Sequence, residues 1–194
     1  MKLVLATQNR NKAEEIKPLL PPYIQLLLPE DLGFIGEIPE TADTLEENAV
    51  MKARFIFEMY HVAAFADDTG LEVNALGGKP GVYSARYAGM NKNADKNIAK
   101  LLLEMQGVND RRARFRTVIA LVENGSPRLF EGTVSGTIAP QRQGVKGFGY
   151  DPVFIPSGSA KSFAQMSLEK KNRISHRAMA IERFAGWMKN RAGR

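Results

Sequence analysis

Asn124-Gly125 is the feature that most narrows the folds open to this chain. It stands between residues 111–123 and 128–139, two runs long enough to be strands. Asn-Gly supplies the positive φ angles of a tight hairpin turn, so the two runs are predicted to pair antiparallel. In the first run Ala113, Phe115, Ile119 and Leu121 share one side, and Arg112, Arg114 and Arg116 the other. That is the pattern of a half-buried strand. The N-terminal half reads differently. Residues 2–6 (KLVLA) and 62–66 (VAAFA) are short apolar strands. Between them lie helical patterns: Ala13, Ile16, Leu19 and Leu20 on one face of 10–20, and a capping box at Thr44-Leu-Glu-Glu47 opening a helix to about His61. Strands that alternate with helices pair in parallel. The chain is therefore predicted to be α/β with a mixed sheet and flanking helices.

The remaining elements follow the same rules. Residues 24–28 read as a second strand, 29–43 as loop, 67–70 as a turn and 71–76 as a strand. Residues 77–81 and 144–149 are Gly-rich loops, 93–106 a helix and 153–155 a strand. Ser175 is placed to cap a last helix whose Ala180, Ile181, Phe184, Trp187 and Met188 form one stripe. With 194 residues, a single domain over 1–194 is expected. An apolar content of 44% argues against intrinsic disorder. No run approaches the ~18–20 apolar residues of a membrane span. The absence of cysteine excludes disulfides, zinc–thiolate sites and cysteine nucleophiles. The opening MKLVLATQNRNK has too short an apolar stretch for a secretory signal, so a cytoplasmic location is the expectation. A net charge of +6 favours anionic partners such as nucleotides or nucleic acid, or serves solubility alone.

Five stretches could carry chemistry. Thr7-Gln-Asn-Arg-Asn-Lys12 follows a strand and opens a helix, a place where free N–H groups can seat a phosphate; the plainer reading is a solvated basic helix entry. Asp67-Asp68-Thr69-Gly70 follows a buried strand and suits a hard cation or a general base, or else an Asx-type turn. Asn48 and Lys52 share a helix face, which reads first as solvated surface. Lys146-Gly-Phe-Gly-Tyr-Asp-Pro152 could bring backbone and an aromatic ring against a ligand. In Lys170-Lys171-Asn-Arg-Ile-Ser175-His176-Arg177, Ser175 as cap places His176 and Arg177 in a first helical turn, after two lysines; cations are disfavoured there, so an anion or base edge is expected nearby. Arg111–Arg116 is the argument for nucleic acid, although Phe115 falls on the opposite face from the arginines and reads as core.

Taken together, these stretches resemble the inosine triphosphate pyrophosphatase family. The matching residues are Leu5–Lys12, Glu47-Asn-Ala, Lys52-Ala-Arg54, Ala66–Val73, Ala75–Gly89, Gly147-Phe-Gly-Tyr-Asp-Pro152 and Ser175-His-Arg177, in order and at family spacings. The resemblance implies an elongated mixed α/β fold with two lobes around a nucleotide-binding cleft. It implies hydrolysis of ITP, dITP and XTP to the monophosphate and pyrophosphate, dependence on Mg²⁺ and a homodimer, with neither nucleic acid nor membrane as partner. By resemblance, Thr7, Gln8, Asn9, Arg10, Asn11 and Lys12, helped by Lys52, cradle the triphosphate. Glu40 and Asp68 hold the metal, and Asp68 is also the proton acceptor. Thr69 contacts substrate, standing where serine is common. Phe148, Gly149, Tyr150 and Asp151 stack on and border the purine, and Lys171, His176 and Arg177 complete the nucleotide site. Donors such as Arg177 and protonated His176 would favour a 6-keto over a 6-amino purine. The rival readings are a pyrophosphatase for other altered nucleotides and a basic nucleic-acid-binding module.

Overall fold

The computed structural model describes residues 1–192. Gly193 and Arg194, the end of the basic stretch 189–194, lie outside the described residues. The strands are β1 (Lys2–Leu5), β2 (Gln25–Leu27), β3 (Ala64–Val73), β4 (Pro80–Gly81), β5 (Arg112–Val122), β6 (Pro127–Ile138) and β7 (Phe154–Pro156). The helices are α1 (Arg10–Ile16), α2 (Leu45–Tyr60), α3 (Ala94–Glu104), α4 (Leu168–Asn172) and α5 (His176–Ala192). Among the described residues, one sheet runs β2-β1-β3-β5-β6-β7, with β4 paired to β3. β1 is parallel to β2 and to β3, whereas β4 is antiparallel to β3 and β7 to β6. The sheet is mixed, as the alternation of early βα units with a late hairpin predicts. No helix among the described residues is long and apolar enough to cross a membrane.

The chain divides into two compact units. The first holds 1–68, 117–132 and 177–192 of the described residues, and the second 69–116 and 133–176. The core of the first is built on Leu3, Leu5, Ile16, Phe65, Ile119, Leu121, Ala180, Ile181 and Phe184. Phe184 of α5 stacks on Phe65 of β3 at 5.2 Å and 14°. The stripe read from the last helix is the one that packs here, with Trp187 partly buried beside it. The core of the second unit gathers Leu71, Val73, Ile98, Leu101, Phe115, Phe154 and Phe163. Burying a side chain of this size contributes about 1.5–3 kcal/mol.

Three expectations change. Residues 67–70 are not a turn, because β3 runs unbroken from Ala64 to Val73. Gly70 serves instead for close approach: a Cβ there would lie 2.7 Å from the Gly81 carbonyl oxygen of β4. The first helix stops at Ile16, and Pro18 tightens Lys17–Leu19 into a 3₁₀ turn. The loop 29–43 contains a 3₁₀ turn at Pro29–Leu32. Half of the expected capping box opens α2: the Thr44 hydroxyl accepts from the Glu47 N–H, while the Glu47 carboxylate accepts from that hydroxyl at 3.0 Å rather than from the Thr44 N–H, and His61 closes the helix at φ 51°.

Candidate active site

Adjacent carboxylates on a buried strand need cations, and the first unit supplies three. Asp67 and Asp68 are both buried on β3. Lys12, one turn into α1, lies 3.2 Å from Asp67 Oδ2. Arg177, in the first turn of α5, donates from Nε to the same oxygen at 3.1 Å and from Nη1 to Glu15 Oε2 at 2.5 Å. Lys52 of α2 donates to Asp68 Oδ1 at 2.6 Å, to Glu40 Oε1 at 2.9 Å and to the Asp67 carbonyl at 2.9 Å. The ion pairs thus join four carboxyls, Glu15, Glu40, Asp67 and Asp68, to three cations.

The electrostatics divide the neighbouring acids. Burial pushes the Asp68 carboxyl up to about 6, against the pull of Lys52 and Lys12. Burial also opposes ionisation of Asp67, but Lys12, Arg177 and Lys52 outweigh it and hold that carboxyl well below the usual range. Glu40 likewise resists burial through Lys52 and is drawn down to about 2. Lys52 is raised because Asp68, Glu40 and Asp67 overcome its desolvation, whereas burial prevails at Lys12 and lowers it. Two adjacent carboxyls pushed in opposite directions can divide the roles of proton acceptor and fixed charge.

The donor set suits a hard cation. Glu40 and Asp68 present carboxylate oxygens to the same ammonium, 2.9 and 2.6 Å from Lys52 Nζ. No group of three or more His, Cys, Asp or Glu is placed to hold a metal among the described residues. Mg²⁺ does not require one, since it is commonly bound by one or two carboxylates completed by phosphate oxygens and waters.

The turn Thr7–Lys12 sits at the end of β1, but its amides are not all open. Asn9 caps α1, its side-chain oxygen accepting from the Asn11 and Lys12 N–H groups. The Thr7 hydroxyl accepts from the Asn9 N–H at 3.2 Å. The expected row of free helix-end donors is therefore partly spent on the cap, and Lys12 Nζ is the charge aimed inward. Arg10 points outward, 3.4 Å from Glu30, with both side chains largely exposed. Thr7, Gln8, Asn9 and Arg10 line a cavity of about 210 Å³, together with Leu28, Pro29, Glu30 and Phe34.

The second unit holds the remaining candidates. Lys171 of α4, a helix absent from the sequence reading, donates to Asp151 Oδ2 at 2.5 Å, and both are buried. The Phe148 N–H donates to the same oxygen at 2.9 Å, and Lys171 Nζ lies 5.2 Å from the Phe148 ring centre. Gly147 reads in sequence as room for a ligand, but the room is taken by Asp151: a Cβ on Gly147 would lie 2.0 Å from Asp151 Oδ2. Gly149 has φ 60° and Tyr150 donates to the Ser84 carbonyl at 2.9 Å. His176 is buried and stacks on Phe115 at 4.5 Å and 18°. Thr69 follows Asp68 on β3 as the first residue of this unit.

One plain reading changes and two expectations are met. Asn48 and Lys52 are buried rather than on a solvated face. The anions answering Arg177 at its helix start are internal, Asp67 and Glu15. Phe115 is core, and Arg112 and Arg114 are exposed but matched by Asp110 and Glu72. Glu15 was missed by the sequence reading. Its available signal was the i, i+3 spacing from Lys12 on the face of Ile16.

A sequence profile of the Ham1 family matches residues 3–187. The chain belongs to the Ham1 family. This Ham1 chain is 50% identical over 188 residues to a dITP/XTP pyrophosphatase of Christiangramia forsetii, covering 97% of this chain and 99% of the relative. A dITP/XTP pyrophosphatase of Porphyromonas gingivalis is also 50% identical over 188 residues, covering 96% and 97%. Among solved structures, the Ham1 protein of Staphylococcus aureus is similar with a TM-score of 0.89 at 40% identity, covering 98% of this chain and 100% of that one. A Ham1 protein from Coxiella burnetii gives a TM-score of 0.90 at 37% identity, covering 98% and 99%.

Proposed function

We propose that this chain hydrolyses non-standard purine nucleoside triphosphates, ITP, dITP and XTP, to the nucleoside monophosphate and pyrophosphate. The observation that carries the reading is the buried cluster Lys12–Asp67 and Lys52–Asp68–Glu40, found in a chain half identical over nearly its whole length to dITP/XTP pyrophosphatases. Cleaving the α–β anhydride forms a bond from water oxygen to the α-phosphorus and breaks the bond to the bridging oxygen. The water proton goes to Asp68, and the electrons of the broken bond leave with pyrophosphate. Catalysis of such a step is mostly positioning and neutralisation of phosphate charge.

The residues divide this work. Lys12 and Lys52 give charge to the triphosphate, and Thr7, Gln8, Asn9, Arg10 and Asn11 surround it. Glu40 and Asp68 hold Mg²⁺, which when bound supplies further neutralisation of phosphate charge. Thr69 offers its hydroxyl to substrate. Phe148, Gly149, Tyr150 and Asp151 take the purine with Lys171 and His176, and Arg177 selects for the keto base. A homodimer, on the resemblance alone, completes the reading, together with the cytoplasmic location and the single domain over 1–194 expected from the sequence. The nucleic-acid reading is not favoured, because Arg112 and Arg114 already have carboxylate partners.

The test is pyrophosphate release with Mg²⁺ across ITP, dITP, XTP, ATP, GTP, CTP and UTP. Release confined to ITP, dITP and XTP is expected. Equal slow release from all seven, or none, would overturn the assignment. Within the same assay, Phe148→Ala removes the ring proposed to stack on the base. Base–aromatic stacking is worth about 1–3 kcal/mol, so KM for ITP is expected to rise roughly 5–150-fold. An unchanged KM would take Phe148 out of the base site.

A further inference from the structure

Glu40 lies in an irregular segment, yet it meets Lys52 at 2.9 Å. Something must hold it there, because residues 35 to 39 make no main-chain to main-chain hydrogen bond among the described residues. Two side-chain amides do so. On the near side, Gln8 Nε2 donates to the Gly36 carbonyl at 2.7 Å, and Gln8 Oε1 accepts from the Ile38 N–H at 3.3 Å. On the far side, Asn48 Oδ1 accepts from the Ala42 N–H at 2.9 Å, and Asn48 Nδ2 donates to the Ala42 carbonyl at 3.2 Å. Each amide uses both its ends on main chain, as a neighbouring strand would. The segment is further pinned by the edge-on contact of Phe34 with Phe55 of α2, at 5.8 Å.

The two clamps differ in origin. Asn48 belongs to α2, the helix that also carries Lys52. Gln8 belongs to the turn proposed to surround the triphosphate. It is separated by 28 residues from Gly36, and its amide is committed to the segment rather than to a phosphate.

We propose that Gln8 is a positioning residue that fixes the Glu40 carboxylate for the metal by clamping residues 36 and 38 to the Thr7–Asn9 turn. The inference rests on the assignment of Glu40 to the metal. It makes the phosphate turn and the metal carboxylate one mechanical piece: with Gln8 removed, the stretch 36–38 loses its hydrogen-bonded clamp, and Glu40 is held less tightly by Lys52, the Phe34–Phe55 contact and the Asn48 clamp and samples more positions. An exposed hydrogen-bonded pair of this kind contributes modestly, so the effect is a weakening and not an abolition of metal binding.

The experiment titrates Mn²⁺ into the substrate-free protein, read by electron paramagnetic resonance, for wild type, Gln8→Ala, Gln8→Met, Glu40→Gln and Gln8→Ala/Glu40→Gln. The Mn²⁺ Kd is expected to rise about three- to tenfold in both Gln8 variants. In the Glu40→Gln background, Gln8→Ala is expected to add nothing, since its effect passes through Glu40. Affinity for inorganic tripolyphosphate without metal gives the second readout. A loss of tripolyphosphate affinity with unchanged Mn²⁺ affinity would overturn the proposal and return Gln8 to phosphate contact. Additive losses in the double variant would also overturn it. If Glu40→Gln alone leaves Mn²⁺ binding unchanged, the metal assignment of Glu40 fails and the proposal falls with it, a result distinct from failure at Gln8 alone.

Discussion

Asp68→Asn is expected to lower kcat for ITP about 10²–10⁴-fold, the usual worth of a positioned proton acceptor. The substitution keeps shape and hydrogen bonding. An amide oxygen can still accept from Lys52, which also retains Glu40 at 2.9 Å and the Asp67 carbonyl at 2.9 Å. Wild-type and variant melting curves should therefore lie close together, and the loss should be one of chemistry. Two measurements check it: steady-state turnover, and the destination of oxygen from ¹⁸O-water, which belongs in the monophosphate. Near-normal turnover would remove Asp68 from its assigned role, and label in pyrophosphate would overturn attack at the α-phosphorus.

The second large effect is on stability. Arg177 is 2% exposed and is hydrogen-bonded to both Asp67 and Glu15. Arg177→Ala leaves two buried carboxylates short of a partner. Breaking a buried ion pair from one side costs about 3–5 kcal/mol, which for a chain of this size is a fall of roughly 6–20 °C in Tm. Thermal unfolding followed by circular dichroism measures it, and a shift of only a degree or two would contradict the pairing of Arg177 with Asp67 and Glu15. The ITP-to-ATP ratio of kcat/KM is best taken on this variant well below its new midpoint. A narrowed ratio assigns Arg177 to base selection as well, and an unchanged one leaves it a structural cation.

Much of this was legible in residues alone. The mixed sheet follows from apolar runs alternating with helical patterns and then from Asn124-Gly125, and the Thr44 cap of α2 is local chemistry readable without tertiary context. What misled was ambiguity between local and long-range causes. Asp-Asp-Thr-Gly has turn composition, but Lys12, Lys52 and Arg177 neutralise its carboxyls from three different helices, so the strand continues. Gly70 reads as part of a turn and Gly147 as room for a ligand, whereas each makes room for something of the chain's own, a β4 carbonyl and the Asp151 carboxylate. The pairing of Glu15 with Arg177 and the amide clamps of Gln8 and Asn48 are not readable from sequence for a related reason. Their partners are set by the packed fold, and no spacing rule brings Glu15 to a residue 162 positions away.

That separation bears on how the protein is made. Glu15 and Asp67 emerge early in translation, but the guanidinium that answers both belongs to α5, near the end of the chain. At ribosomal rates of about 5–20 residues per second, the gap between Glu15 and Arg177 is roughly 8–32 s. The second unit, ending at His176, has its whole sequence synthesised before the first is complete. Assembly order is thus the reverse of reading order: the unit that begins the chain is the last that can close, and its charge balance arrives with the final helix.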